Sequence, residues 1–192
     1  MGAGWRRDER GISSVEFAMV AALFFLFVLG IIDFARLLWH WNAAAKATQT
    51  GARFAAVKPI IALDIREFRG LSLGLRAGAS IPVGTPGTAT VICDSAGCGG
   101  DPARMDAAAF AALVQRMRRV DGCIAAANVV VVYRHIGQGF VGNPLGPDVA
   151  PAVTVSLRDM TFEFVTPGLS GLVSIPMLGF PATLTGEANA AT

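Results

Sequence analysis

The sequence predicts an α+β protein: a long N-terminal helix that crosses a membrane and continues into a small extracytoplasmic domain with a mainly antiparallel sheet. Three observations carry this. An apolar run long enough to span a bilayer opens the chain. An apolar stripe at three-to-four-residue spacing then continues up to a proline. Beyond that proline, short alternating or β-branched segments and one amphipathic helix are separated by Gly- and Pro-rich turns.

A chain of 192 residues fits one domain plus an appendage. Its apolar excess lies near the N-terminus, and the remainder has enough apolar residues for a modest core. The net charge of +2 argues against a nucleic-acid partner, which selects for a basic face. No internal repeat or low-complexity tract is present.

From Phe17 to Ile32 there is no charged or hydrogen-bonding side chain. Extension back to Ile12 adds only Ser13, Ser14 and Glu16, and gives a span over 12–32. As a helix that span measures about 31 Å, matching a hydrocarbon core of about 30 Å. A buried core helix would be shorter in so small a domain. A cleaved secretory signal is the other competitor, but it has a shorter apolar region with a small-x-small site directly after it. Here the bulky Asp33–Trp41 stretch follows, and Ala43-Ala44-Ala45 lies too far downstream.

Arg6, Arg7 and Arg10 precede the run, while Arg36 and Lys46 follow it, so the positive-inside bias is slight. The short Arg-bearing tail is the easier end to leave in the cytoplasm. Trp39 and Trp41 stand beyond the far end, where amphipathic rings favour the interface. Asp33 and Arg36, three residues apart, share a helix face and can neutralise each other in part. Phe34, Leu37, Leu38, Trp41, Ala45, Thr48, Ala52 and Ala55 continue the stripe, with Lys46, Gln49 and Arg53 off it. Pro59 ends the helix near Val57. The alanine-rich second half packs against its own domain or between subunits. The expected organisation is a cytoplasmic leader over 1–11, the span over 12–32, its extracytoplasmic continuation over 33–58, and the domain over 59–192.

Glu16 is the informative residue, because a carboxylate in an apolar helix costs about 2.5–3.5 kcal/mol at the bilayer centre and less near its edge. A carboxylate that merely snorkels to the interface is the bland reading. Gly11 stands five residues before it, and Gly-x4-Glu occurs twice, but only this copy heads the apolar run behind the arginines. The arrangement Gly11-Ile12-Ser13-Ser14-Val15-Glu16-Phe17 resembles a type IV prepilin leader. The resemblance implies that a membrane-embedded prepilin peptidase cuts between Gly11 and Ile12 on the cytoplasmic side, with Glu16 and Phe17 as recognition residues. Ile12 then carries a charged amine one turn from Glu16, and a neighbouring subunit's amine can satisfy that carboxylate.

Arg10-Gly11, Val15-Glu16-Phe17-Ala18, Gly30-Ile31-Ile32-Asp33-Phe34-Ala35-Arg36 and Thr50-Gly51-Ala52-Arg53-Phe54-Ala55-Ala56 together look like the TadE-like proteins of the tight-adherence pilus system. Asn128-Val129, Tyr133-Arg134, the segment Gly137 to Pro144 and Phe180 to Glu187 are softer matches to the same group. The resemblance implies a pseudopilin-like assembly component of the inner membrane, not an enzyme, whose partners are a prepilin peptidase, other pilin-like subunits and membrane lipid. Where many of those proteins carry a proline early in the apolar run, Ala21-Ala22 stand here. The alternative function is a membrane-tethered extracytoplasmic enzyme, such as a hydrolase, with an uncleaved anchor.

In the outer domain, Leu63–Leu75 reads as a short connecting segment and Pro82–Gly87 as a turn cluster. Thr88–Ile92 reads as a strand. Met105–Val120 reads as a helix with Phe110, Leu113, Val114, Met117 and Val120 on one face, started by Asp101-Pro102. Asn128–Tyr133 reads as a buried strand, and Val153, Val155 and Leu157 as the inner face of another. Phe162 and Phe164 flank Glu163 in the same way, and Ala182–Thr185 reads as an edge strand.

Two apolar loops are expected to meet a partner, the membrane or the core: Arg134–Ala150, with Phe140 and Val141, and the uncharged Val165–Gly186, with Leu172 and Phe180. Gly137 to Gly142 reproduces G-x-G-x-x-G, but Pro144 and Pro147 block the helix that a dinucleotide site needs. Cys93, Cys98 and Cys123 make a disulfide plausible outside the cytoplasm, and the spacing leaves open whether Cys98 pairs with Cys93 or Cys123. Three sulfurs with His135 as the only downstream imidazole make a poor zinc site, so no metal or other cofactor is expected. No nucleophile elbow or Cys-His-acid set stands in a recognisable context.

Overall fold

The computed structural model describes residues 9–144, 146–166, 174–177 and 179–186, with side chains from residue 14 onward. Helix α1 runs unbroken from Glu9 to Val57, 49 residues, straight through Ala21-Ala22. It ends where Pro59 requires, with Lys58 N–H still donating to Phe54 O at 3.0 Å. The chain divides into two compact units, one of Met1–Trp39 with Thr161–Ile175, the other of His40–Met160 with Pro176–Thr192.

The larger unit is built on a five-stranded antiparallel sheet in the order β2-β1-β3-β4-β7. Its strands are β1 (Val91–Asp94), β2 (Gly97–Cys98), β3 (Val129–Arg134), β4 (Ala152–Leu157) and β7 (Ala182–Thr185). The central pair is in register over its whole length, from Val129 opposite Leu157 to Arg134 opposite Ala152. Period-two alternation therefore puts Val129, Val131 and Tyr133 on one buried face with Val153, Val155 and Leu157. Strands β5 (Met160–Glu163) and β6 (Ser174–Met177) form a separate two-stranded ribbon; β6 was not expected from the sequence.

Helix α3 (Ala107–Arg118) buries Phe110, Leu113, Val114 and Met117 against the sheet's core. Its cap is Asp106, not Asp101: the Asp106 carboxylate accepts from Ala109 N at 3.0 Å and from Arg66 Nη1 at 2.7 Å. Those two contacts, the Ala109 amide first, lower its pKa below the usual carboxylate range. Asp101-Pro102 instead starts a separate 3-10 turn, Pro102–Arg104, capped on Ala103 N at 2.9 Å. The first strand also begins later than expected, because Thr88 closes a turn: its N and Oγ1 both donate to Thr85 O, at 3.0 and 2.8 Å. β5 likewise stops at Glu163, leaving Phe164 outside it.

The outer part of α1 packs against this core through small residues: Ala44, Ala47, Thr48, Gly51, Ala52 and Ala55 are buried. The alanine-rich half is thus partnered by its own domain. At Gly51 an added Cβ would stand 2.9 Å from the Met117 sulfur. Gly51→Leu is expected to destabilise the fold by about 1–3 kcal/mol through overpacking, read as a lowered thermal midpoint; an unchanged midpoint would show that this packing has slack. After the helix, α2 (Leu63–Arg66) and a 3-10 turn (Gly70–Leu73) form the connecting segment. Ile61 N donates to the buried Tyr133 hydroxyl at 3.2 Å, and burial holds that phenol well above its ordinary pKa.

Candidate functional site

Two carboxylates of helix α1, Glu16 and Asp33, stand in opposite circumstances. Gly11 and Ile12 lie on its helical backbone, and their side chains fall outside the described residues. Glu16 is exposed and makes no ion pair among the described residues. Phe17 beside it is 74% exposed. Val15, Met19, Val20, Leu23, Phe24 and Phe25 project outward as well, and nothing in the most apolar stretch of the helix is buried. A soluble protein's core helix is covered on one stripe at least; this surface suits lipid.

Asp33, at the C-terminal end of the apolar run, is only 2% exposed. Arg36 Nη1 donates to it at 2.8 Å, the i, i+3 pairing the sequence suggested. The sequence did not reveal its other partners. Val165 N and Thr166 N donate to Oδ2 at 3.1 and 2.8 Å, and the Thr166 hydroxyl donates to the same oxygen. The Arg36 guanidinium also lies 5.4 Å from the Phe162 ring centroid, and Phe162 meets Phe164 edge-on at 5.4 Å. Asp33 thereby clamps the segment after β5 to the helix. An acid closing an apolar run was the available signal, but Val165 and Thr166 lie more than a hundred residues away in sequence.

The expected contact residues separate. Phe140 is 45% exposed. Val141 is not available to a partner: it is 1% exposed and packs with Ile81 and Val149 in a second small core. That loop is pinned by the buried Asp148, which accepts from Gly70 N at 2.7 Å and Asn143 N at 3.2 Å. Gly139 belongs to the same pinning, since a Cβ there would stand 2.2 Å from Asp148 O. Phe180 is half-buried, edge-on to Trp41 at 4.8 Å. Leu172 lies outside the described residues.

Cys93 and Cys98 form a disulfide across the directly opposed positions of the β1–β2 hairpin. Cys123 is a free thiol on an exposed residue, and partial loss of solvent, followed by the charge and side-chain contact of Asp121, raises its pKa.

An antiparallel-sheet unit and one helix long and apolar enough to cross a membrane define an α+β protein with a candidate membrane span, and suggest a single-pass anchor. Residues 11–53 match the family model described as TadE-like protein. The matched stretch takes in Gly11, Glu16, the apolar run, Asp33 and Gly51. No curated protein and no solved structure matches the chain.

Proposed function

We propose that this protein is a pseudopilin-like assembly component of a tight-adherence pilus, not an enzyme. A prepilin peptidase removes its leader between Gly11 and Ile12. It sits in the inner membrane with the N-terminus cytoplasmic and the sheet domain periplasmic or extracellular, among other pilin-like subunits. The observation that carries the reading is the exposed Glu16, without an ion pair among the described residues, at the head of a lipid-suited helix and within the stretch that matches the TadE-like family. In a bundle of such helices that carboxylate loses water, and the Ile12 amine of a neighbour offsets the cost.

The test is the intact mass of the chain extracted from membranes after co-expression with a prepilin peptidase. Loss of residues 1–11 is expected. Gly11→Ala is expected to lower the rate of cutting about tenfold or more, the effect of roughly 1.4 kcal/mol of added transition-state strain at a tight scissile site. A chain that still begins at Met1 in its native host overturns the reading and favours the uncleaved, tethered alternative.

A further inference from the structure

The free cysteine stands in a group that the chain order conceals. His40 on α1, Asp121 just after α3 and Cys123 each turn a ligand atom toward the others, all within 4.8 Å. The turn that presents two of them is held by the backbone. Asp121 N donates to Met117 O at 3.1 Å, and Ile124 N to Asp121 O at 3.3 Å. Asp121 Oδ1 accepts from Cys123 N at 3.0 Å, and a carboxylate oxygen of Asp121 lies within 4.8 Å of the thiol and imidazole ligand atoms. Asp121 is 5% exposed, and its Oδ2 is buried with no hydrogen-bond partner. A buried carboxylate oxygen without a donor is costly and rare.

We propose that His40, Asp121 and Cys123 form a binding site for a divalent transition metal, Zn2+ by the chemistry of the donors. Imidazole nitrogen, carboxylate oxygen and thiolate sulfur are the zinc ligand set, whereas Mg2+ and Ca2+ take oxygen ligands. Thiolate and carboxylate together balance the charge of the ion, and the thiol proton leaves to solvent on binding. Tetrahedral zinc sets its ligand atoms about 3.5 Å apart, given bond lengths of about 2.0–2.3 Å. The ligand atoms now lie within 4.8 Å of one another, so binding would draw them together by side-chain rotation. Three protein ligands leave a fourth position for water or for a group from another molecule.

A Cys-His-acid nucleophile is the competing use of the same residue types. In that arrangement the acid stands behind the imidazole and orients it. Here the carboxylate faces the thiol, which opposes a bare thiolate and suits a cation held by both.

The experiment uses the full, tag-free chain in lipid nanodiscs. It is equilibrated with Zn2+, desalted and assayed for metal per chain, with a chromophoric chelator to set the affinity. Co2+ in place of Zn2+ reports sulfur ligation through a thiolate-to-metal charge-transfer band. One ion per chain is expected, with the band present, and Zn2+ should protect Cys123 from alkylation. His40→Gln and Cys123→Ser should each weaken binding about 100-fold or more, since loss of even an outer-sphere partner costs about 10–100-fold. His40 is half-buried, so His40→Gln serves if Cys123→Ser does not fold, and alkylation of the parent chain needs no variant. Less than one ion per chain, equal affinity in His40→Gln, absence of the charge-transfer band, or a Cys123 disulfide between chains would each overturn the proposal.

Discussion

Asp33→Ala is expected to free the segment that follows β5 from the anchor helix. The Asp33 carboxylate accepts from two backbone amides, one hydroxyl and one guanidinium, so a single substitution removes every one of those acceptors. The amides of Val165 and Thr166 then lose their partner, and Arg36 loses its counter-charge beside a run of residues that cannot replace it. Hydrogen bonds to charged groups contribute about 1.5–3 kcal/mol each. Exchange at those two amides, measured by hydrogen–deuterium mass spectrometry in nanodiscs, should therefore quicken about tenfold to a hundredfold. Asp33→Asn should fall between, since its carboxamide keeps one acceptor and sets an NH2 group against other donors. Arg36→Ala should act less, because the backbone donors remain. Unchanged exchange in Asp33→Ala would mean that the strand ribbon alone holds the segment.

Joint replacement of Cys93 and Cys98 by serine is expected to lower stability by about 2 kcal/mol. The disulfide closes a short loop, which places its chain-entropy effect at the low end of the usual range of about 2–4 kcal/mol. In a chain of this size that corresponds to a drop of about 4–8 °C in the thermal midpoint. Both sulfurs are fully buried, and Cys93 also stands opposite Val131 in the sheet, so the two hydroxyls carry a further burial cost. Reductant added to the parent chain should reproduce the entropic part alone. If neither treatment moves the midpoint, the hairpin is held by its ladder and not by the bond.

What could be read from the sequence was set by short-range rules. Pro59 marks the end of α1 because ring sterics act on the residue before it. The alternation of Val153, Val155 and Leu157 marks the buried face of β4 because the period of a strand is two. The face Phe110, Leu113, Val114 and Met117 follows from the helical period in the same way. Asp101-Pro102 misled for a related reason: the pair is a sound local start signal, and it starts a 3-10 turn instead of the helix. Val141 misled because a loop's exposure is decided by what packs beneath it, here Ile81 and Val149. The candidate site was legible only along α1. Glu16 announces itself as a charge in an apolar run. The Val165 and Thr166 partners of Asp33, and the meeting of His40 with Asp121 and Cys123, depend on chain crossings that no periodicity encodes.

The apolar run has a carboxylate near each end, and among the described residues only Asp33 is saturated by atoms of its own chain. The two ends therefore differ in how they respond to crowding in the plane of the membrane. At Asp33, raising the number of chains per unit area changes nothing, because no valence is left to share. At Glu16, under the processing proposed above, each added neighbour would bring a cationic amine within range. Lateral order would then be set at the Glu16 end of the span by a count of charges, with the Asp33 end indifferent to it.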